Sequence, residues 1–277
     1  MTLLTFSVLL LFFSFAAGLL GALTGLGGGV VIIPVLVLLF HIDIHLAMGA
    51  SLVSVIATSS GSAAAYMREG YTNLRLGMFL EVPAVVGALL GALLVAKIST
   101  ALLSLMFSLV LFFSAYLTIT RQEEDLKTLA HSSSWAKTLA LNSTYPLGLQ
   151  LKSYEIYHLP LGFMMMGIAG MFSGLLGIGS GALNVLAMDQ VLKLPYKVAT
   201  TTSNFMIGIT AAASAGIYFA HGYIHPTVIG PVLIGVVIGS FCGAKLLAKI
   251  HYRLLRIIFS FVICLVGLQM LIKSFTG

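Results

Sequence analysis

The chain has 277 residues, of which 59% are hydrophobic and only 8% are charged, and its mean hydropathy is +1.09. A soluble domain averages about 25% charged residues, so this composition excludes a soluble globular fold. The net charge of +6 indicates an excess of Lys and Arg in cytoplasmic loops rather than a nucleic-acid partner. Cys242 and Cys264 both lie in apolar stretches, so we predict no disulfide, no metal site and no cofactor.

The first predicted element is a long apolar segment over residues 3–40, which contains no Lys, Arg, Asp or Glu. As one helix it would measure about 57 Å at about 1.5 Å per residue, far more than the hydrocarbon core of a bilayer. The glycine cluster Gly25–Gly29 interrupts the segment, so we predict a break there. The sequence leaves open whether the segment crosses once, folds back as a full hairpin, or enters and leaves as two half-helices.

Three apolar helices follow in each half of the chain, and a polar linker joins the halves. We expect helices near residues 46–67, 76–97 and 101–120, and again near residues 198–219, 228–249 and 253–273. The predicted units are a first transmembrane repeat over 1–120, a linker over 121–157 and a second transmembrane repeat over 158–277. The linker is expected to be a solvated loop with an interfacial piece around Trp135.

The two halves match at one ungapped offset of 152 residues, which places Gly27 on Gly179 and Ser51 on Ser203. Further matches are Ala47 with Ala199, Tyr66 with Tyr218, Gly87 with Gly239, Gly91 with Gly243 and Lys97 with Lys249. Such a match indicates duplication. The predicted fold is therefore an all-α integral membrane protein with two tandem homologous halves, each beginning with a glycine-broken segment.

The positive charges distinguish parallel halves from inverted ones. If the halves are inverted, twelve of the fourteen Lys and Arg residues fall on one side, and only Lys97 and Lys273 fall on the other. If the halves are parallel, the same residues divide seven and seven. The positive-inside rule therefore favours inverted repeats in a cell membrane, with a cytoplasmic linker and both termini outside.

The glycine breaks are the predicted binding site. A chain that reverses there exposes backbone N–H groups at the start of a new half-helix, which can hold an anion without a buried lysine. The candidates at the two breaks are Gly25, Gly27, Gly28, Gly29, Gly177, Gly179, Ser180 and Gly181. The alternative is that these glycines only allow close helix packing.

The helices after each break are rich in small polar side chains that could donate to an oxyanion. The candidates are Ser51, Asn184, Thr202, Ser203 and Asn204. The alternative for the hydroxyls is a hydrogen bond back to a carbonyl of their own helix. Glu81 is a candidate for proton coupling, because an intramembrane carboxylate is often functional; its alternative is a position near the cytoplasmic surface.

The motif Gly21-Ala-Leu-Thr-Gly-Leu-Gly-Gly-Gly-Val-Val-Ile-Ile-Pro34 resembles the first signature of the TauE/SafE sulfite exporter family. Gly174–Gly181 and Ala199–Asn204 resemble its second-half counterparts, although Leu186 stands where the first copy has Pro34. The resemblance implies a prokaryotic multi-pass transporter of the cytoplasmic membrane that moves sulfite, thiosulfate or organosulfonates. The expected partners are the small anion and the lipid bilayer, and a homodimer is left open.

Two other functions compete with a carrier. A passive anion channel would share the same site and differ in its rate of flux. An intramembrane serine protease would use Ser180 as nucleophile and a membrane histidine as base, but the first copy has Gly28 at that position. We therefore expect no enzymatic activity.

Overall fold

A computed structural model describes residues 3–24, 27–120, 134–147, 150–247, 260, 264, 267–272 and 274. The elements are α1 (Leu3–Thr24), α2 (Gly29–Pro34), α3 (Ile44–Glu69), α4 (Leu74–Leu94), α5 (Thr100–Thr120), α6 (Ser134–Thr138), β1 (Ser143–Leu147), β2 (Gln150–Tyr154), α7 (Leu159–Leu176), α8 (Gly181–Leu186), α9 (Tyr196–Ala220) and α10 (Pro226–Leu247). One π-helical turn extends α2 over Val35–Leu39, and another extends α8 over Ala187–Val191. The described residues between 260 and 274 are helical.

Among the described helices, six are long and apolar enough to cross a bilayer, which confirms an all-α integral membrane protein. These spans are Thr5–Leu23, Ile44–Ala63, Leu74–Lys97, Leu159–Leu176, Tyr196–Ala220 and Pro226–Leu246. Local sequence explains two of the helix starts: the Asp43 side chain accepts from the N–H of His45, and the Asn73 side chain accepts from that of Leu76. Such caps satisfy N–H groups that the first turn leaves free.

Glycines set the packing of helices from different halves. Backbone carbonyls of α7 lie directly over Gly87 and Gly91 of α4, and carbonyls of α4 lie over Gly170 and Gly174 of α7. The partners advance together along both helices, so α4 and α7 run parallel. Helices α1 and α10 pack in the same way. The backbone carbonyls of three α1 residues lie over three glycines of α10, pairing Leu11 with Gly235, Phe15 with Gly239 and Leu19 with Gly243.

Contacts to α3 and α9 fix the remaining directions. The Ser59 hydroxyl donates to the Asn204 carbonyl at 2.6 Å, whereas Met48, earlier in α3, contacts Tyr218, later in α9, so these two helices are antiparallel. The contacts Gly49 with Tyr223 and Gly61 with Ser240 make α3 parallel to α10. The contacts Asn73 with Thr202 and Glu81 with Thr210 make α4 parallel to α9. Thus α1, α3 and α10 point one way, and α4, α7 and α9 point the other.

The linker contains a β-hairpin that the sequence did not predict. Strands β1 and β2 pair antiparallel from Ser143 opposite Tyr154 to Leu147 opposite Gln150. The Asn73 amide, at the start of α4, donates to the Leu141 carbonyl at 2.9 Å and to the Tyr154 hydroxyl at 2.8 Å. These tertiary contacts, rather than any alternation in sequence, hold the hairpin against the helices.

Trp135 lies in the short helix α6 with 65% of its surface exposed, and its interfacial position stays a prediction. The linker residues 121–133 lie outside the described residues. We call the side of the bundle that carries the hairpin and the turns at 70–73 and 192–195 the linker end. The opposite side, with the turns at 41–43 and 221–225, is the far end.

Candidate functional site

The first glycine break reverses the chain between α1 and α2. Gly27 has a φ of 81°, a left-handed conformation that favours glycine. A β-carbon on Gly21 of α1 would collide with the backbone of Gly28, and one on Gly28 would lie 3.4 Å from the Ala17 carbonyl oxygen. The chain after the break therefore runs back along α1. Gly25 lies outside the described residues.

The second break has the same form. Gly177 ends α7 with a φ of 65° and donates its N–H to the Ser173 carbonyl at 2.9 Å, and Gly179 has a φ of 71°. The returning chain brings the Leu192 side chain onto Gly162, near the start of α7.

Both returning pieces are half-helices. The pieces Gly29–Leu39 and Gly181–Val191 are each about 16 Å long at about 1.5 Å per residue. A crossing needs about 30 Å, so neither piece spans the bilayer. Each described segment is a long helix followed by a short return, which differs from all three geometries that the sequence left open.

The two breaks meet at the centre of the bundle around one pair of residues. A β-carbon on Gly27 would lie 3.2 Å from Ile207 Cδ1 and 3.4 Å from Val55 Cγ2. A β-carbon on Gly179 would lie 3.0 Å from Val55 Cγ1 and 3.8 Å from Ile207 Cβ. Val55 and Ile207 are themselves related by the offset of 152. The centre of the site is therefore an apolar contact between α3 and α9 with one break on either side.

The first break is pressed against hydroxyl groups of α3. A β-carbon on Gly28 would lie 3.1 Å from the hydroxyl oxygen of Ser54, and one on Gly29 would overlap that of Ser51. Gly29 also faces the second break, because its β-carbon would lie 3.0 Å from the Ile178 carbonyl oxygen. Any side chain at these glycines would push the hydroxyls away from the break.

Several polar side chains around the breaks have no partner within the described structure. The hydroxyls of Ser51, Ser54 and Ser180 are buried without a hydrogen bond, and so are both amide atoms of Asn184 and Asn204. Buried polar groups are nearly always satisfied, and an unsatisfied one costs about 1–3 kcal/mol. A cluster of such groups is typical of a site that binds a polar ligand or ordered water.

Thr202 and Ser203 have structural hydrogen bonds instead. The Thr202 hydroxyl oxygen accepts from the N–H of Asn73 at 3.0 Å, which directs it to the linker end. The Ser203 hydroxyl donates to the Gly181 carbonyl at 3.2 Å and ties α9 to the start of α8. Neither contact is the bond to a carbonyl of the same helix that was the alternative; both connect α9 to other elements.

Glu81 is buried inside the bundle, in the second turn of α4 counted from the linker end. Its Oε1 accepts from the Thr210 hydroxyl at 2.5 Å, while its Oε2 has no partner among the described residues. The offset of 152 relates Thr210 to Thr58 but Glu81 to Leu233. The partner threonine therefore has a threonine at its matching position in the other half, whereas the glutamate has a leucine.

The space beside the second break is small. A cavity of about 10 Å³ is lined by Ser173, Ser180, Gly179 and apolar side chains, which is room for about one water molecule. In the described part of the chain the Ser180 hydroxyl has no hydrogen-bond partner.

Two features of this site were missed at sequence level. The central pair Val55 and Ile207 consists of ordinary apolar residues, and only the offset of 152 relates them. Ser173 carries a buried hydroxyl without a partner, but it precedes the second glycine cluster and was hidden in an apolar run. The helical spacing of Ser51 and Ser54 was the available signal for the α3 side.

Comparison with known proteins gives a family and several relatives. The family model of the sulfite exporter TauE/SafE matches residues 10–270. The chain is 30% identical over 240 residues to the probable membrane transporter protein YdhB of Bacillus subtilis, covering 86% of this chain and 89% of that protein. It is 26% identical over 274 residues to the probable membrane transporter protein YunE of the same organism, covering 96% and 98%.

A relative from a second organism is also a probable membrane transporter. The chain is 26% identical over 280 residues to the probable membrane transporter protein MJ0441 of Methanocaldococcus jannaschii, covering 95% of both chains. No solved structure matches the chain. The relatives agree on transport across a membrane, and their names specify no substrate.

Proposed function

Because the chain belongs to the TauE/SafE sulfite exporter family, we propose that it carries a small sulfur-containing anion such as sulfite, thiosulfate or an organosulfonate. The chain is a multi-pass membrane transporter of this family. What the proposal adds is the class of anion and the place where it binds, at the two glycine breaks.

One observation carries the proposal: both breaks converge on a set of buried, unpartnered hydroxyl and amide groups. Asn184 and Asn204 each have two unsatisfied polar atoms there, and Ser51 and Ser180 contribute hydroxyls. The backbone N–H groups of the first turn of each returning piece would add donors at the same place. An oxyanion would satisfy these hydroxyl and amide donors together.

The donors favour a compact, tetrahedral or pyramidal oxyanion. A planar carboxylate is held best by the two-pronged guanidinium of arginine. In the described chain no Arg or Lys contributes to the set of unpartnered groups at the breaks. We therefore expect sulfite, thiosulfate or a small sulfonate to bind more tightly than acetate.

Reconstituted protein tests this function directly. We expect proteoliposomes to release sulfite at carrier rates, and ethanesulfonate to compete at concentrations at least about tenfold lower than acetate, a difference of about 1.4 kcal/mol. Empty liposomes are the control. Equal competition by acetate would contradict the substrate class, and single-channel conductance in planar bilayers would favour the channel.

The membrane potential then sets the direction of transport. An inside-negative potential favours export of an anion by about 2.3 kcal/mol per charge per 100 mV, so export needs no coupling ion. Uptake would need a proton or cation, and we propose that Glu81 carries the proton in that direction. In the same proteoliposomes, Glu81→Gln should abolish proton-driven uptake and spare potential-driven export. Uptake that survives the substitution would contradict the role of Glu81.

We propose that the halves are inverted repeats with a cytoplasmic linker and external termini. The opposite directions of α1 and α7, of α3 and α9, and of α4 and α10 support this arrangement. Single cysteines at Ser153 and Gln190 should react only from the cytoplasm, and those at Thr100 and His225 only from outside. The background is the chain with Cys242→Ser and Cys264→Ser. Reaction of positions 100 and 190 from the same side would contradict it.

A further inference from the structure

A second polar pocket lies at the linker end, apart from the glycine breaks. It has a volume of about 230 Å³ between the start of α4 and the β-hairpin, and its polar lining includes Thr72, Asn73, Arg75, Asn142 and Ser143. A water molecule takes about 30 Å³ of liquid volume, so the pocket has room for a small hydrated ion. Its lining contains no acidic residue.

Two groups in this pocket are suited to an anion. Arg75 is exposed, and no carboxylate of the described residues lies within 4.0 Å of its guanidinium. The hydroxyl oxygen of Thr72 is buried without a hydrogen-bond partner in that same part of the chain. A positive charge and an unsatisfied hydroxyl in one cavity favour a negatively charged ligand.

Helix α9 makes hydrogen bonds to both the pocket and the second glycine break. The N–H of Asn73, in the pocket wall, donates to the hydroxyl of Thr202 on α9 at 3.0 Å. The next residue, Ser203, donates to the carbonyl of Gly181 at the second break. From Thr202 to the central Ile207 is about 8 Å along the helix at about 1.5 Å per residue. Two consecutive residues of α9 thus contact the wall of the pocket and the second break.

We propose that this pocket is a capture site, in which Arg75 attracts a small oxyanion from solution at the linker end before the anion reaches the glycine breaks. The inference rests on the proposed function. The pocket supplies a positive charge, which the central site lacks because the unpartnered hydroxyl and amide groups at the breaks are neutral. An exposed charge acts over a Debye length of about 8–10 Å, so one arginine at the entrance raises the local concentration of anions.

Chemical modification at the pocket tests the proposal without any need for transport. Ser143→Cys is placed in the Cys242→Ser, Cys264→Ser background and treated with methanethiosulfonate reagents that carry either a sulfonate or a trimethylammonium group. We expect the ratio of the anionic to the cationic rate to fall about tenfold when Arg75→Gln is added, since electrostatic steering of this kind is worth about 10-fold or more. Ethanesulfonate should slow the modification only when Arg75 is present.

Lys152→Gln is the matched control, because Lys152 is an exposed cation of the same hairpin that does not line the pocket. We expect it to change the rate ratio less than about twofold. Equal effects of Arg75→Gln and Lys152→Gln, or no protection by ethanesulfonate, would overturn the capture site. A proteoliposome assay of sulfite efflux separates this failure from a failure of the proposed function, because the modification rates do not depend on transport.

Discussion

Gly179→Val is expected to abolish anion binding while the protein remains folded. Gly179 has a φ of 71°, and its β-carbon would already lie 3.0 Å from Val55 Cγ1. The additional methyl groups of valine would enter the space where the breaks meet and move the donors apart. We expect the affinity for sulfite to fall at least about tenfold, or about 1.4 kcal/mol, in calorimetric titrations of the purified protein.

Gly222→Val is the matched control for backbone strain. Gly222 has a φ of 74°, but a β-carbon there would meet nothing within 4 Å. Both variants therefore carry a similar left-handed penalty of about 1–2 kcal/mol, and only Gly179→Val also crowds the site. Unchanged sulfite affinity in Gly179→Val, or an equal loss in Gly222→Val, would contradict a site at the breaks.

Asn204→Leu is expected to stabilise the protein and to remove its activity. Asn204 is fully buried with both amide atoms unpartnered, so leucine would relieve an unsatisfied polar group that costs about 1–3 kcal/mol. The other half shows that leucine fits, because the offset of 152 places the fully buried Leu52 at the matching position. We expect a higher melting temperature in detergent together with loss of sulfite binding.

Ser59→Ala tests a packing role for comparison, since the Ser59 hydroxyl donates to the backbone carbonyl of Asn204, not to its side chain, at 2.6 Å. Its loss should lower the free energy of unfolding by about 1 kcal/mol. Thermal unfolding and titration of the two variants separate a binding role from a packing role. An Asn204→Leu protein that melts earlier and still binds sulfite would show that the amide serves packing.

The sequence predicted the broad fold because membrane helices are encoded locally. Apolar runs gave the helix positions within a few residues: the helix expected at 46–67 is Ile44–Glu69, and the one expected at 198–219 is Tyr196–Ala220. The hairpin at Ser143–Tyr154 was missed, because contacts from Asn73 hold it rather than strand propensity.

The site was predicted in part for a similar reason. The glycine clusters and the small polar residues are visible as residue types, but the choice among them depends on distant partners. Thr202 and Ser203 look equivalent to Ser51 in sequence, yet Asn73 and Gly181 occupy their hydroxyls. The binding roles of all these residues stay predictions until they are measured.

The pairing of helices across the halves has a consequence for how the molecule can move. Through the glycine contacts, α1 of the first half packs against α10 of the second half, and α7 of the second half packs against α4 of the first. One bundle therefore contains α1, α3 and α10, the other contains α4, α7 and α9, and each mixes helices from both halves of the chain. If the breaks bind the anion as proposed, we expect alternate exposure to come from sliding between these bundles along α3 and α9. A chain cut within the linker would separate two fragments that each lack their main packing partners, so neither copy is a mechanical unit by itself.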